Sequence, residues 1–200
     1  MLASDLIARA RDLLNDTGAV RWSDNELLNW INEGQQRLAR LRPKYFVKTT
    51  NIQLQPGVLQ QLPSDGILLQ AVVRNMGATG NTPGRAISRV DKRSLDVINP
   101  DWPSDPADAV VRRYIYDPNS PLLFYVYPAQ PSPGSYVEIS YSALPAKLTA
   151  TSNSLGVPED MAPLVLDFVM YRALSRDAPE GGNTAAAAFY QSFLDGVNAL

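Results

Sequence analysis

The chain has 200 residues, 45% of them apolar and 19% charged, which suits a globular protein with one good core or two small ones and excludes a disordered chain. Its net charge of −2 supplies no global basic field of the kind that nucleic-acid binders carry. Cysteine and histidine are both absent, which excludes disulfides, thiolate nucleophiles, a Ser-His-Asp triad and metal sites built on either residue.

The opening stretch MLASDLIARARDLL interleaves acids and arginines with apolar residues, so it reads as an amphipathic helix and not as a signal peptide. Ser4 is its expected N-cap, and Leu6, Ile7, Ala10, Leu13 and Leu14 form one apolar stripe. Asn15-Asp16-Thr17-Gly18 ends it, with Gly18 expected to take a left-handed conformation.

The second helix has the plainest signals, in RWSDNELLNWINEGQQRLARLRP. Ser23 as N-cap and Glu26 three residues on make a capping box, and Trp22 with Leu27 can form a hydrophobic staple. Leu27, Ile31, Gly34, Leu38 and Leu41 follow at spacings of 4, 3, 4 and 3, and Pro43 stops the run. A rod of roughly 27 Å results, and it is expected to pair with the first helix as an antiparallel hairpin.

From Tyr45 the period changes to that of strands. Strands are expected over 47–54 and, after a Pro56-Gly57 turn, over 58–62. A buried-type strand follows at 67–73, then a Gly- and Pro-rich loop at 77–84 and a short strand at 87–90. Residues 94–102 read as a helical turn running into an irregular loop. Three further strands are expected at 110–116, 122–127 and 136–142, joined by turns at 117–121 and 131–134.

Helix returns at Pro158-Glu159-Asp160, a favourable first turn, although Pro163 offers a later start. Leu164, Phe168, Tyr171 and Leu174 mark its apolar face. After 177–182 a last helix is expected from 183 to about 197, carrying Phe189, Phe193 and Val197 at i, i+4 and i+8. The fold class is therefore α+β: a helical bundle from both termini (1–44 and 155–200) with an antiparallel β domain (45–154) inserted in it.

Candidate chemistry is sparse. The glycines of 77–85 lack the Gly-Lys-Ser/Thr register of a phosphate loop. Asp65, Asp91, Asp96, Asp101, Asp105, Asp108 and Asp117 could in principle supply the two carboxylates of a glycosidase, but nearly all lie where Asp is a turn former or cap. A carbohydrate-active hydrolase is therefore the alternative reading. Arg37 and Arg40 share a helix face, followed by Arg42 and Lys44, as the helix macrodipole favours. Arg112 and Arg113 form a second basic pair. Trp102, in the loop NPDWP, either pins that loop or anchors a partner. No catalytic, cofactor or metal residue is assigned.

The order of RWSDNELLNWINEGQQRLARLRP, a β region with YIYDPNSPLLFYVYPAQP and VEISYSALPAKL, and then LDFVMYRALSRDA resembles the head-to-tail adaptor proteins of tailed bacteriophages, most of all those of short-tailed phages. The resemblance implies a structural virion protein in a ring of typically twelve copies. The ring would dock beneath the portal protein and extend the DNA channel toward the next tail component, a nozzle or tail tube, and the tail fibres. The helical bundle would form the ring body, the final helix would reach the portal, and the β domain would meet the tail. Double-stranded DNA would pass without specific binding, with which a near-neutral charge agrees. On this reading the protein is made in the host cytoplasm, has no membrane partner, needs no cofactor and is monomeric until assembly. Gln35, Arg37, Arg40, Trp102, Arg112, Tyr190 and Phe193 are its candidate interface residues.

Overall fold

A computed structural model describes residues 1–176 and 184–200; the expected connector at 177–182 and helix start at 183 lie outside the described residues. In chain order the elements are α1 (Ala3–Leu14), α2 (Asp24–Leu41), β1 (Val47–Gln53), β2 (Gly57–Gln61), β3 (Gly66–Asn75), β4 (Ser88–Arg89), α3 (Lys92–Ile98), β5 (Arg113–Ile115), β6 (Leu123–Gln130), β7 (Tyr136–Ala143), α4 (Ala162–Arg176) and α5 (Thr184–Ala199). They fall into two compact units, one of Met1–Arg42 with Leu144–Leu200 and one of Pro43–Ala143.

In the helical unit α1 starts before the expected cap. Leu2 is its N-cap, and the Leu2 N–H donates to Asp5 Oδ2 at 2.9 Å while the Ser4 N–H donates to the Thr151 carbonyl. Asn15, not Gly18, takes the left-handed conformation (φ 52°). The chain turns directly after Leu14, and Asn tolerates that region better than most residues. On α2 the capping box forms as the sequence indicates: Ser23 Oγ accepts from the Glu26 N–H, and the Ser23 N–H donates back to the Glu26 carboxylate. Leu27, Ile31 and Leu38 are fully buried.

The main partner of α2 is α4, not α1. Gly34 allows this approach, since a Cβ there would stand 3.1 Å from Phe168 Cδ1 and 3.3 Å from Val165 Cγ1. A 3-10 turn (Glu159–Met161) leads into α4, which is covered by α1, α2 and α5 and so buries Val165, Val169, Met170 and Ala173 besides the expected Phe168. Phe168 meets Phe193 of α5 edge-on at 5.5 Å. Residues 144–154, expected in the β domain, belong to the helical unit. The Asn32 side chain binds both backbone groups of Leu148 there, at 2.8 and 3.0 Å, a tie that no local pattern announces.

The β unit has two sheets, ordered β1-β7-β3 and β2-β6-β5-β4. All pairs are antiparallel except β4 with β5, which is parallel and departs from the expectation of an antiparallel domain. The core includes Leu69, Val72, Tyr114, Phe124, Val126, Val137, Ile139 and Tyr141. β5 is shorter than the strand expected from residue 110, because the Asn75 side chain takes both backbone groups of Val111 at 2.8 Å in place of a strand neighbour. A second, smaller cluster of Leu95, Trp102 and Ile115 packs with Val58, Val90, Tyr125 and Tyr127.

Candidate interaction surfaces

The expected interface residues divide by burial. On α2, Arg37 and Arg40 are exposed, but Gln35 is 1% exposed and its Oε1 accepts from the Gly156 N–H at 2.6 Å. Gln35 therefore does not share the outer face with the arginines: α2 is buried on more of its circumference than an apolar count suggests. Arg42 donates from Nε to the Val197 carbonyl at 2.8 Å, tying the end of α2 to the end of α5.

Trp102 is 2% exposed, which decides between the two readings of its loop. Its indole N–H donates to Asp96 Oδ1 at 2.8 Å, and its ring meets Tyr125 and Tyr127 edge-on, each at 6.2 Å. It pins the loop and offers no exposed anchor. Phe193 is likewise wholly buried, while Tyr190 is half-buried and stacks between Tyr171 and Phe193. Both work within the α4–α5 contact.

Arg112 is different. It is exposed, pairs with Asp108 at 3.1 Å and belongs to a larger basic region. The parallel pairing of β4 with β5 places Ser88 opposite Arg113 and Arg89 opposite Tyr114. Arg85, Arg89, Arg112 and Arg113 thereby line one concavity of about 470 Å³. A larger groove of about 740 Å³ adjoins it through Arg89 and Val90, with Lys92 and Arg93 on its rim and Ile115, Tyr116, Leu123 and Tyr125 among its lining residues. Arg89 donates to the Tyr116 carbonyl at 3.0 Å, and burial holds the Tyr116 phenol above its usual range. The local sequence marks Arg112 and Arg113 but not the cations beside them, because strand pairing alone brings residues 85–93 there.

Four of the loop carboxylates, Asp65, Asp91, Asp96 and Asp105, are engaged in structural roles. Asp65 binds Lys48 and the Tyr141 hydroxyl, Asp91 caps α3, Asp96 holds Trp102, and Asp105 accepts from Asn99 and Tyr127. Desolvation opposes ionisation of Asp65, but its bonds from Tyr141 and Lys48 prevail and hold its pKa below the usual value. Among the described residues no group of three or more carboxylates could hold a metal ion, and no helix is long and apolar enough to cross a membrane.

A family model described as the SU10 adaptor protein matches residues 1–200. No curated protein matches the chain.

Proposed function

The chain belongs to the SU10 adaptor protein family, a family of phage head-to-tail adaptors, and from that premise we propose that its copies form a ring joining the portal to the tail and continuing the DNA channel. The family match over residues 1–200 carries this reading. Adaptors of this family are structural proteins of the virion, which agrees with the structural employment of Asp65, Asp91, Asp96 and Asp105.

In the proposed assembly about twelve copies surround a lumen through which double-stranded DNA passes without specific recognition. A net charge of −2 favours sliding over retention. Closing a ring of identical copies requires two different patches on each copy that fit one another. Arg37, Arg40 and Arg112 are exposed and remain candidates for such contacts, while Gln35, Trp102 and Phe193 act through the fold that holds those surfaces. The partners are the portal, the next tail component and the fibres, at the neck of the virion.

Electron microscopy of the virion neck, with mass photometry of the purified protein alone and with portal, tests this. Rings bound to portal are expected, with monomers predominating in dilute solution without it. Monomers that never bind a portal would refute the reading.

A further inference from the structure

The two adjoining concavities of the β unit differ in character from the rest of the chain. Six cations and only two acids line them, against a net charge of −2 for the whole protein. The acids are occupied: Asp91 Oδ1 accepts from the Arg93 N–H at 2.8 Å, and Asp117 Oδ1 accepts from Asn119 at 2.9 and 3.0 Å. The side chains of Arg85, Arg93 and Arg113 have no ion-pair partner among the described residues. Clustered, uncompensated arginines repel one another, so an anionic occupant would relieve a standing cost.

The larger groove is not only basic. Leu123 is 38% exposed, and the half-buried Tyr125 adds aromatic surface beside it, above the buried Ile115 and Tyr116. Lys92 Nζ lies 5.8 Å from the Tyr125 ring centre and the Arg89 guanidinium 5.8 Å from that of Tyr116. A DNA backbone offers phosphates to such a site but nothing for its apolar floor. A protein segment with acidic and apolar side chains satisfies both. A second copy of this chain is a poor source of that segment. Among the described residues, many of its acids already sit in ion pairs, as with Glu26 and Arg176, Glu33 and Arg172, and Asp24 and Arg11.

We propose that this basic, apolar-floored groove, centred on Arg89, Arg93, Arg113 and Leu123, is a docking site for a short acidic segment with at least one large apolar side chain, supplied by a different protein. The proposal rests on the adaptor reading, since an adaptor must bind unlike proteins at its ends. The cationic rim attracts and orients the segment, and the exposed Leu123 with the half-buried Tyr125 receives its apolar side chain.

The test uses the full chain and a dye-labelled peptide repeating Glu-Glu-Leu, followed by fluorescence anisotropy over a range of salt. Comparison probes are an all-Glu peptide, a short DNA duplex and copies of the chain whose own groove is disabled by Arg93→Ala/Arg113→Ala. Binding of the Glu-Glu-Leu peptide should weaken with salt and fall by about tenfold or more in Arg93→Glu/Arg113→Glu. Neither arginine side chain has an ion-pair partner among the described residues, so thermal stability should hold. Leu123→Ser should weaken the Glu-Glu-Leu peptide and leave the all-Glu peptide unchanged, a contrast that general loss of folding would not produce. Equal binding by the charge-reversed variant overturns the proposal, as does competition by the DNA duplex or by the groove-disabled copies of the chain at lower concentration than the peptide. Portal binding and ring formation measured in parallel separate the two readings. Peptide failure with intact rings overturns only the groove, and absent rings with intact peptide binding overturns only the ring.

Discussion

Arg11 and Asp16 form a buried ion pair across the end of α1, with Arg11 Nη1 3.1 Å from Asp16 Oδ2 and each side chain under 10% exposed. The pair builds the whole α1–α2 corner. Asp16 accepts the N–H groups of Val20, Arg21 and Trp22, and Arg11 Nη2 donates to the Trp22 carbonyl at 2.8 Å and to Asp24 at 2.6 Å. Trp22 is thereby set against Trp30 at 5.5 Å.

Acid should loosen this corner. Desolvation opposes ionisation of Asp16, but the backbone N–H groups of Arg21, Trp22 and Val20, together with Arg11, hold its pKa below the usual value. A carboxylate with a depressed folded-state pKa contributes stability that is present above its unfolded value of about 3.9 and is lost as pH falls through the folded value. Thermal unfolding followed from pH 7 downward should therefore show a falling melting temperature below about pH 4. Asp16→Asn should be less stable at neutral pH and show a smaller loss on acidification. Arg11→Met should cost more than Arg172→Met, because the Arg172–Glu33 pair is exposed on both sides.

Asn32 should resist replacement. It is 6% exposed and satisfies both backbone groups of Leu148. Asn32→Leu strands a buried donor and a buried acceptor, at about 1–3 kcal/mol each. Chemical denaturation is the measurement, and a variant within about 0.5 kcal/mol of the parent would contradict the assignment.

Gly34 should reject β-branched residues. With a Cβ already close to Phe168 and Val165, Gly34→Val should overpack the α2–α4 contact and destabilise by about 1–3 kcal/mol. The same denaturation experiment reads this, and trimming Phe168 to Leu in that background should recover part of the loss.

Trp102 should behave as a core residue. Trp102→Ala is expected to cost about 3–5 kcal/mol, while Trp102→Phe keeps part of the packing and loses the bond to Asp96, at about 1 kcal/mol. A Trp102→Phe protein that folds normally yet fails to bind portal or tail proteins would restore the anchor role that its burial argues against.

Arg37 and Arg40 should show the opposite behaviour. Both are exposed, so Arg37→Glu/Arg40→Glu should alter stability by no more than about 0.5 kcal/mol. If α2 forms part of the ring contact, the same change should weaken association with portal or with other copies, as mass photometry can read.

Much of the architecture is legible in the order of residues because its signals are local. Ser23 and Glu26 lie within one helical turn, Pro43 acts on its own neighbours, and the change of period at Tyr45 shows in the side chains themselves. These determine the α+β class, and together with the late YRALSRD stretch they carry the resemblance to phage adaptors. What lies under another element was not legible. Gln35 reads as a surface residue until Gly156, 121 positions away, takes its carbonyl. Arg112 and Arg113 read as an isolated pair until parallel pairing brings up the strand with Ser88 and Arg89. Periodicity tells which face of an element is apolar. Only the packed chain decides which faces are covered, and so whether a polar or aromatic residue is a strut or a surface.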